Sequence, residues 1–210
     1  MENVVPVLEK YQIPATFFVC PRAIETGWLW FQVAREYESM LPAKDCRRLY
    51  EMTNGERERT IADLIEANRI KPDRSTMTPD EVIALSRNPL FSIQNHTLSH
   101  AITTSCTENE LYAEVRLASE KIFEWTGKVP RVLSYPCGKW STDQVHILKK
   151  CNISMAVTCE PHLLDLEQQQ DAHCIPRTAF INDGSLSENL CQVFGIWQPA
   201  IRRIQRTMQS

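Results

Sequence analysis

Two histidines, His96 and His100, stand four residues apart in the segment N-H-T-L-S-H at 95–100. The apolar run at 90–94 that precedes them is typical of a buried strand. Neutral imidazoles at the end of a strand are suited to hold a divalent metal, with a carboxylate and water completing the shell. The zinc-protease signature His-Glu-x-x-His is not present, because Thr97 occupies the position of the Glu. The spacing alone leaves a second interpretation open, in which one histidine is a cap and the other lies on the surface.

The elements that must position these histidines follow from the periodicity of apolar residues. Thr78 and Thr107 each begin a capping box, with a Glu three residues later, and Gly127 ends the helix that follows Thr107. The predicted strands are 15–20, 90–94, 132–135 and 153–159, and the predicted helices are 2–11, 28–40, 56–68, 79–88, 108–126 and 141–151. This alternation predicts a parallel sheet or barrel, with the chemistry at the carboxyl ends of the strands.

Length and composition predict one domain over residues 1–210. A chain of 210 residues that is 43% hydrophobic can bury a sizeable core. A helical insertion is expected at about 28–70, with Gly55 between its two helices.

Charge and hydropathy exclude several classes of partner. The net charge of −3 gives no electrostatic footprint for nucleic acid or for an anionic membrane. No apolar run approaches the roughly 18 residues of a membrane span, and no signal peptide opens the chain. We therefore expect a cytoplasmic location for the chain as given, and leave export open because the amino terminus looks incomplete.

The eight cysteines are scattered and include no C-x-x-C pair. This distribution favours reduced, mostly buried thiols over a disulfide framework or a zinc ribbon. Cys137 is not favoured as a nucleophile, since no histidine lies near it in the sequence to activate it.

Several short blocks occur in a characteristic order: P-A-T-F-F-V at 14–19, H-T-L-S-H at 96–100, Y-P-C-G at 135–138 and I-P-R at 175–177. Together they resemble the polysaccharide deacetylase family, also called carbohydrate esterase family 4. The resemblance covers about residues 2–195, and the first two blocks are its most specific part. It implies an α/β fold, an irregular and incomplete (β/α) barrel. It also implies a hydrolase that removes acetyl groups from N-acetylated or O-acetylated polysaccharides or oligosaccharides.

One segment of the family, Thr-Phe-Asp-Asp-Gly, has no counterpart in this sequence. In the family it lies about one helix upstream of the P-A-T-F-F block. Its first Asp is the general base and its second Asp is the third metal ligand. The sequence begins at Met1, within the helix that should follow, so we expect a fold that lacks its first strand. The chain is then either a truncated or late-started form of an enzyme, or a non-catalytic relative that retains the fold, with or without carbohydrate binding. The strand at 15–19 should have an open edge, which favours a homo-oligomer.

The resemblance also assigns roles to individual residues. His96 and His100 match the metal-binding histidines, and the implied ion is divalent, with zinc expected, in an incomplete site of weak affinity. Cys137 matches the residue whose backbone N–H stabilises the oxyanion. Ser134 stands where many members carry an Arg beside the catalytic base. Arg177 is a candidate to point into the site from a strand end, and a surface salt bridge is the alternative.

The remaining polar candidates are expected to be ordinary. His173 lies where the family places a general acid, yet its neighbours do not fit that motif, so we expect it to be solvent-exposed. His146 and His162 are expected to be structural or exposed. Asp183, in N-D-G at 182–184, is typical of a turn and not of a substitute for the Asp-Asp pair.

Overall fold

A computed structural model describes residues 3–42, 44–160, 171–180 and 184–194. Within these ranges strands and helices alternate along the chain. The strands are β1 Ala15–Val19, β2 Phe91–Asn95, β3 Val132–Ser134 and β4 Met155–Val157. The helices are α1 Val5–Lys10, α2 Pro21–Thr26, α3 Trp30–Glu36, α4 Asn54–Asn68, α5 Pro79–Arg87, α6 Glu108–Thr126, α7 Val145–Lys150 and α8 Leu186–Val193.

The strands form one parallel four-stranded sheet in the order β1-β2-β3-β4. β1 and β2 pair over their whole length, from Ala15 opposite Phe91 to Val19 opposite Asn95. The predicted α/β fold with a parallel sheet is confirmed, and the open sheet is compatible with an incomplete barrel. In the described part of the chain, β1 pairs with β2 alone and so forms an edge.

Apolar side chains on the strands and helices form the core around this sheet. One cluster packs α5 and α6 against β1 and β2, and its buried members are Val19, Ile24, Val82, Leu85, Phe91, Ile93 and Ile122. A second packs α6 and α7 against β3 and β4, and its buried members are Leu111, Val115, Leu133, Tyr135, Ile147, Leu148, Ile153 and Ala156. Helix α6 supplies both clusters, because its apolar residues recur at helical spacing along one side.

Helix ends follow the capping signals in the sequence. The Thr107 hydroxyl accepts the Glu110 N–H, while the Glu110 carboxylate accepts the Thr107 N–H at 2.8 Å. Gly127, with φ 67°, ends α6 in the left-handed conformation that favours glycine. The same capping box begins α5 at Thr78. These predicted boundaries are confirmed.

The segment 28–70 contains α3, α4 and two short 3-10 helices, Glu38–Met40 and Cys46–Tyr50. The prediction that Gly55 separates the helices is wrong, because α4 begins at Asn54 and Gly55 lies in its first turn. The physical reason is the capping box of Thr53 and Glu56, which starts the helix ahead of the glycine.

All eight cysteines are free, as predicted. The expectation that they are mostly buried is wrong, since only Cys20 is fully buried and both Cys137 and Cys159 are exposed. Among the helices of the described ranges, none is long and apolar enough to cross a membrane.

Candidate active site

The candidate site lies at the carboxyl ends of the parallel strands. His96 follows β2 directly, and its backbone N–H donates to the carbonyl of Val19 at the end of β1, at 3.1 Å. The Cys20 thiol donates to the His96 carbonyl, also at 3.1 Å. The end of β1 therefore fixes the position at which the histidine segment leaves the sheet.

His96 and His100 face one another. Their ring centroids are 4.8 Å apart and their planes are nearly perpendicular, at 85°. Both line a cavity of about 410 Å³ together with Phe18 and Phe31. The interpretation in which one of them lies on the surface does not fit this arrangement, because His100 is 9% exposed and His96 is half-buried.

The tautomer of His96 follows from its hydrogen bond. Its Nδ1 lies 2.6 Å from the carbonyl oxygen of Ser134. A carbonyl accepts only, so Nδ1 carries the proton and Nε2 is left with its lone pair. This pattern orients an imidazole that serves as a metal ligand.

His100 is held by its backbone and by neighbouring aromatic rings. Trp30 Nε1–H donates to the His100 carbonyl at 3.1 Å, and the Phe31 ring lies 4.9 Å from the imidazole, centroid to centroid. Within the described residues, His100 Nδ1 is buried without a hydrogen-bond partner. A buried polar atom of this kind is costly unless a further group contacts the ring.

The histidine segment is strained and strongly held. Thr97 and His100 have φ values of 62° and 59°, which are rare for residues other than glycine. Asn95 Oδ1 accepts the Thr97 N–H at 2.8 Å, and the Thr97 hydroxyl accepts the Ala101 N–H at 2.9 Å. The side chain of Asn95 in turn donates to the Val115 carbonyl of α6. These bonds fix the histidine segment onto α6.

Glu114 of α6 anchors the same segment, and the sequence analysis missed it. Its carboxylate accepts both the backbone N–H and the hydroxyl of Ser99. Burial raises the pKa of Glu114, and the two hydrogen bonds from Ser99 oppose that rise. The available signal was its position, since Glu114 lies on the apolar side of α6 beside Leu111 and Val115.

Both imidazoles are held neutral. Burial lowers the pKa of His96 and the positive charge of Arg177 lowers it further, while the hydrogen bond to the Ser134 carbonyl opposes the shift. Burial, followed by the proximity of His96, lowers the pKa of His100 to about 3. A metal binds the neutral imidazole, so the environment favours the ligand form of each ring.

The turn after β3, Tyr135 to Gly138, presents a backbone donor. Cys137 has φ 57°, and among the described residues its N–H donates to no acceptor. Gly138 is required there, because a Cβ would lie 2.6 Å from the Cβ of Cys159. The Tyr135 hydroxyl donates to the His173 carbonyl at 2.9 Å, and this bond anchors the turn.

Arg177 reaches the end of β3. Its Nε donates to the Thr158 carbonyl at 2.9 Å, and its Nη2 donates to the Ser134 hydroxyl at 2.8 Å. The guanidinium also lies 5.5 Å from the centre of the Phe18 ring. Within the described ranges it forms no ion pair. Because the Ser134 carbonyl binds His96, Arg177 and His96 are linked through one residue.

The expectation that His173 is solvent-exposed is wrong, since it is 5% exposed. Its Nδ1 lies 2.9 Å from Asp171 Oδ1, and its Nε2 lies 3.1 Å from the Ile153 carbonyl oxygen. The structure therefore turns this ring toward the core. His146 has an exposed side chain, as expected, and His162 and Asp183 lie outside the described residues.

The arrangement suits a metal ion in part. His96 offers a lone pair, and His100 has an unsatisfied ring nitrogen. Catalytic zinc sites use three protein ligands. In the described ranges no His, Cys, Asp or Glu residues form a group of three that could hold an ion.

Comparisons with known proteins identify the family of this chain. A family model described as polysaccharide deacetylase matches residues 1–156. The comparison with curated protein sequences finds no match.

Solved structures with a similar fold include the Streptococcus pyogenes deacetylase PplD in complex with acetate. It has 16% identity and a TM-score of 0.60, over 89% of this chain and 61% of that chain. IcaB from Ammonifex degensii has 15% identity and a TM-score of 0.56, over 87% and 63%. A de-N-acetylase from Aggregatibacter actinomycetemcomitans has 15% identity and a TM-score of 0.54, over 89% and 67%. At these identities the likeness shows the fold, and this chain spans about three-fifths of the length of the first two.

Proposed function

Because this chain belongs to the polysaccharide deacetylase family, we propose that it provides the histidine part of a metal-dependent site that removes acetyl groups from N-acetylated or O-acetylated glycans. The observation that carries the proposal is the pair His96 and His100, which face one another at the end of β2 in the neutral state. Two such imidazoles beside an open cavity are typical of a catalytic metal centre.

His96 and His100 would hold the ion, and zinc is the ion that we propose. When bound, it supplies a Lewis acid that polarises the acetyl carbonyl and acidifies a water molecule. His96 contributes Nε2, because its Nδ1–H is engaged by Ser134. The strained segment between the two histidines places both rings at the edge of the cavity.

Two other groups of the chain have roles in this proposal. The Cys137 N–H, which donates to no described acceptor, is suited to stabilise an oxyanion. A backbone donor does not depend on the side chain, so Cys at this position is compatible with the role. Arg177 positions Ser134, and its positive charge adds to the burial that lowers the pKa of His96.

Within the described ranges no third ligand accompanies the histidines, and the sequence contains no Asp-Asp pair, so we assign the third ligand and the general base to carboxylates outside the described residues. The open edge of β1 is the place where a segment carrying these carboxylates would join the sheet. The N–H of Ala15 and the carbonyl of Val19 form hydrogen bonds on the β2 side of the strand. The backbone groups of successive residues point alternately to the two sides of a strand, so those of Thr16 and Phe18 point to the open edge. A parallel strand added there would end beside Val19 and His96. We propose that such a strand carries the carboxylates.

The second candidate function is that of a non-catalytic relative which retains the fold and binds carbohydrate. One observation favours it: no third ligand accompanies the histidines in the described ranges. The two candidates differ in what happens when carboxylates are supplied. A site that only lacks them becomes active, whereas a degenerate site does not.

Acetate release from an N-acetylglucosamine oligomer and from an acetyl ester tests the proposal. The 210-residue chain should be near background, because positioned acid–base catalysis alone contributes about 10²–10⁴-fold. A second, extended protein has an added segment ahead of Met1. This segment consists of a strand that ends in Thr-Phe-Asp-Asp-Gly, followed by the start of the next helix. The extended protein should release acetate in the presence of zinc, lose this activity with His100→Ala and keep it with His146→Ala. Turnover that survives His100→Ala would contradict the proposal, and a folded but inactive extended protein would favour the non-catalytic relative.

A further inference from the structure

A second cavity, of about 460 Å³, lies beside the candidate active site and does not contain the histidines. Residues of α2, α3 and α4 and of the segment leading into α3 line it. Its apolar wall includes Trp28, Leu29, Trp30, Ile61 and Ile65. A volume of this size and a mostly apolar lining are typical of small-molecule sites.

The unusual feature of this cavity is Arg57, a lining residue that is 1% exposed. Its Nη2 donates to Asn54 Oδ1 at 2.7 Å, and its Nη1 makes long bonds to the carbonyls of Leu49 and Met52, at 3.4 and 3.3 Å. The guanidinium carbon lies 4.9 Å from the centre of the Trp30 ring. All of these partners are neutral.

No carboxylate of the described residues forms an ion pair with Arg57. Glu58 also lines the cavity, yet its carboxylate pairs with Arg22, and both of those side chains are substantially exposed. A fully buried arginine is almost always paired with an anion. An arginine also stays protonated in proteins, so the wall of this cavity carries an uncompensated positive charge.

We propose that this cavity binds a small molecule in which an apolar or aromatic body carries a carboxylate, with the carboxylate against Arg57 and the body against the tryptophan wall. A carboxylate matches the guanidinium in charge and in its two-pronged geometry. The apolar wall offers little to a fully polar ligand, which would leave hydroxyl groups without partners. This inference stands on the cavity and on Arg57, and does not require the proposed deacetylase activity.

A ligand bound in this cavity would also affect the histidine segment of the candidate active site. Trp30 lines the cavity and also donates to the His100 carbonyl, and Ser99 lines it from the histidine segment. A ligand that moves the Trp30 ring would therefore perturb His100.

The test uses 3-phenylpropionate as the probe and 3-phenylpropanamide as its neutral counterpart. Titration calorimetry on the 210-residue chain should give an affinity for the carboxylate about tenfold or more above that for the amide, since a charge-assisted bond contributes that much. Ala62→Phe, which fills the cavity and leaves Arg57 in place, should abolish binding. Ala67→Phe, the same change on the same helix at an exposed residue that does not line the cavity, should not.

Equal affinity for the carboxylate and the amide would overturn the proposal, because Arg57 would not then recognise the ligand. Absence of binding by both probes, or binding that survives Ala62→Phe in a folded protein, would also overturn it. Arg57 itself is not mutated in this design, so unfolding caused by an Arg57 substitution cannot complicate the result.

Discussion

Ser99 donates its backbone N–H and its hydroxyl to the two oxygens of the Glu114 carboxylate, each at 2.9 Å. Ser99 directly precedes His100, which sits in a strained conformation with φ 59°. One buried carboxylate of α6 thus restrains the residue next to a proposed metal ligand. The strain of the histidine segment is sustained by this contact and by those of Asn95 and Thr97.

Glu114→Ala should lower the free energy of unfolding by about 2–3 kcal/mol, because two donors of Ser99 lose a charged acceptor in a buried place. Glu114→Gln should cost less, since its amide oxygen still accepts one bond. Urea unfolding followed by circular dichroism measures both. Glu120→Ala is the matched control on the same helix, because its ion pair with Arg116 is exposed and should contribute at most about 1 kcal/mol. Equal effects of Glu114→Ala and Glu120→Ala would contradict the anchoring role.

The metal-free chain should lose stability as the pH falls below about 6.5, the ordinary pKa of histidine. His100 has a pKa of about 3 in the folded chain, so between these values the unfolded chain binds a proton that the folded chain does not. The loss is roughly 1 kcal/mol per pH unit for one such group. Urea unfolding in the presence of a chelator should show a flatter pH dependence for His100→Gln. His146→Gln, at an exposed histidine, should leave the dependence unchanged. An unaltered slope in His100→Gln would show that His100 is not held neutral by burial.

Arg177→Met should raise the pKa of His96, because it removes the nearby positive charge that helps burial to lower that pKa. Arg177→Lys retains a positive charge and should leave the pKa closer to that of the original chain. Titration of the imidazole signals of the metal-free chain by NMR measures both variants. A His96 pKa that falls or stays constant in Arg177→Met would contradict the effect of the Arg177 charge on His96.

Local signals predicted much of the fold. The capping boxes at Thr78 and Thr107 fixed the starts of α5 and α6, because the bonds involved lie within four residues of each other. The alternation of apolar runs predicted the parallel sheet, and the strand before His96 predicted where the histidines emerge. Gly55 misled the prediction, since the capping pair around Thr53 outweighed the tendency of one glycine to end a helix.

Contacts between distant segments could not be predicted from the sequence. His173 is buried because Nε2 meets the carbonyl of Ile153, which lies twenty residues away and only becomes a neighbour once β4 has formed. Arg177 reaches Ser134 across a separation of 43 residues. The pairing of Glu114 with Ser99 likewise depends on how α6 packs against the sheet. Such contacts arise from tertiary packing, which periodicity and spacing do not encode.

The open edge of β1 should lead to self-association, since the outward backbone groups of Thr16 and Phe18 can pair with another strand. Thr16→Pro removes one outward N–H and leaves the pairing of Ala15 and Val19 with β2 intact, so it should weaken association without unfolding the sheet. Analytical ultracentrifugation over a range of concentrations measures this. A strictly monomeric chain at the highest concentration, or equal association by folded Thr16→Pro, would contradict the role of this edge.

The proposed site is tested most directly by whether His96 and His100 bind the same metal ion. Titration of the chain with Zn²⁺, followed by calorimetry and by the NMR signals of the imidazoles, should show weak binding that shifts His96 and His100 together. His146 should not respond, and either His96→Ala or His100→Ala should abolish the binding, because neither imidazole holds the ion alone. Tight, stoichiometric zinc binding that survives His96→Ala would contradict the assignment of this pair as the metal ligands.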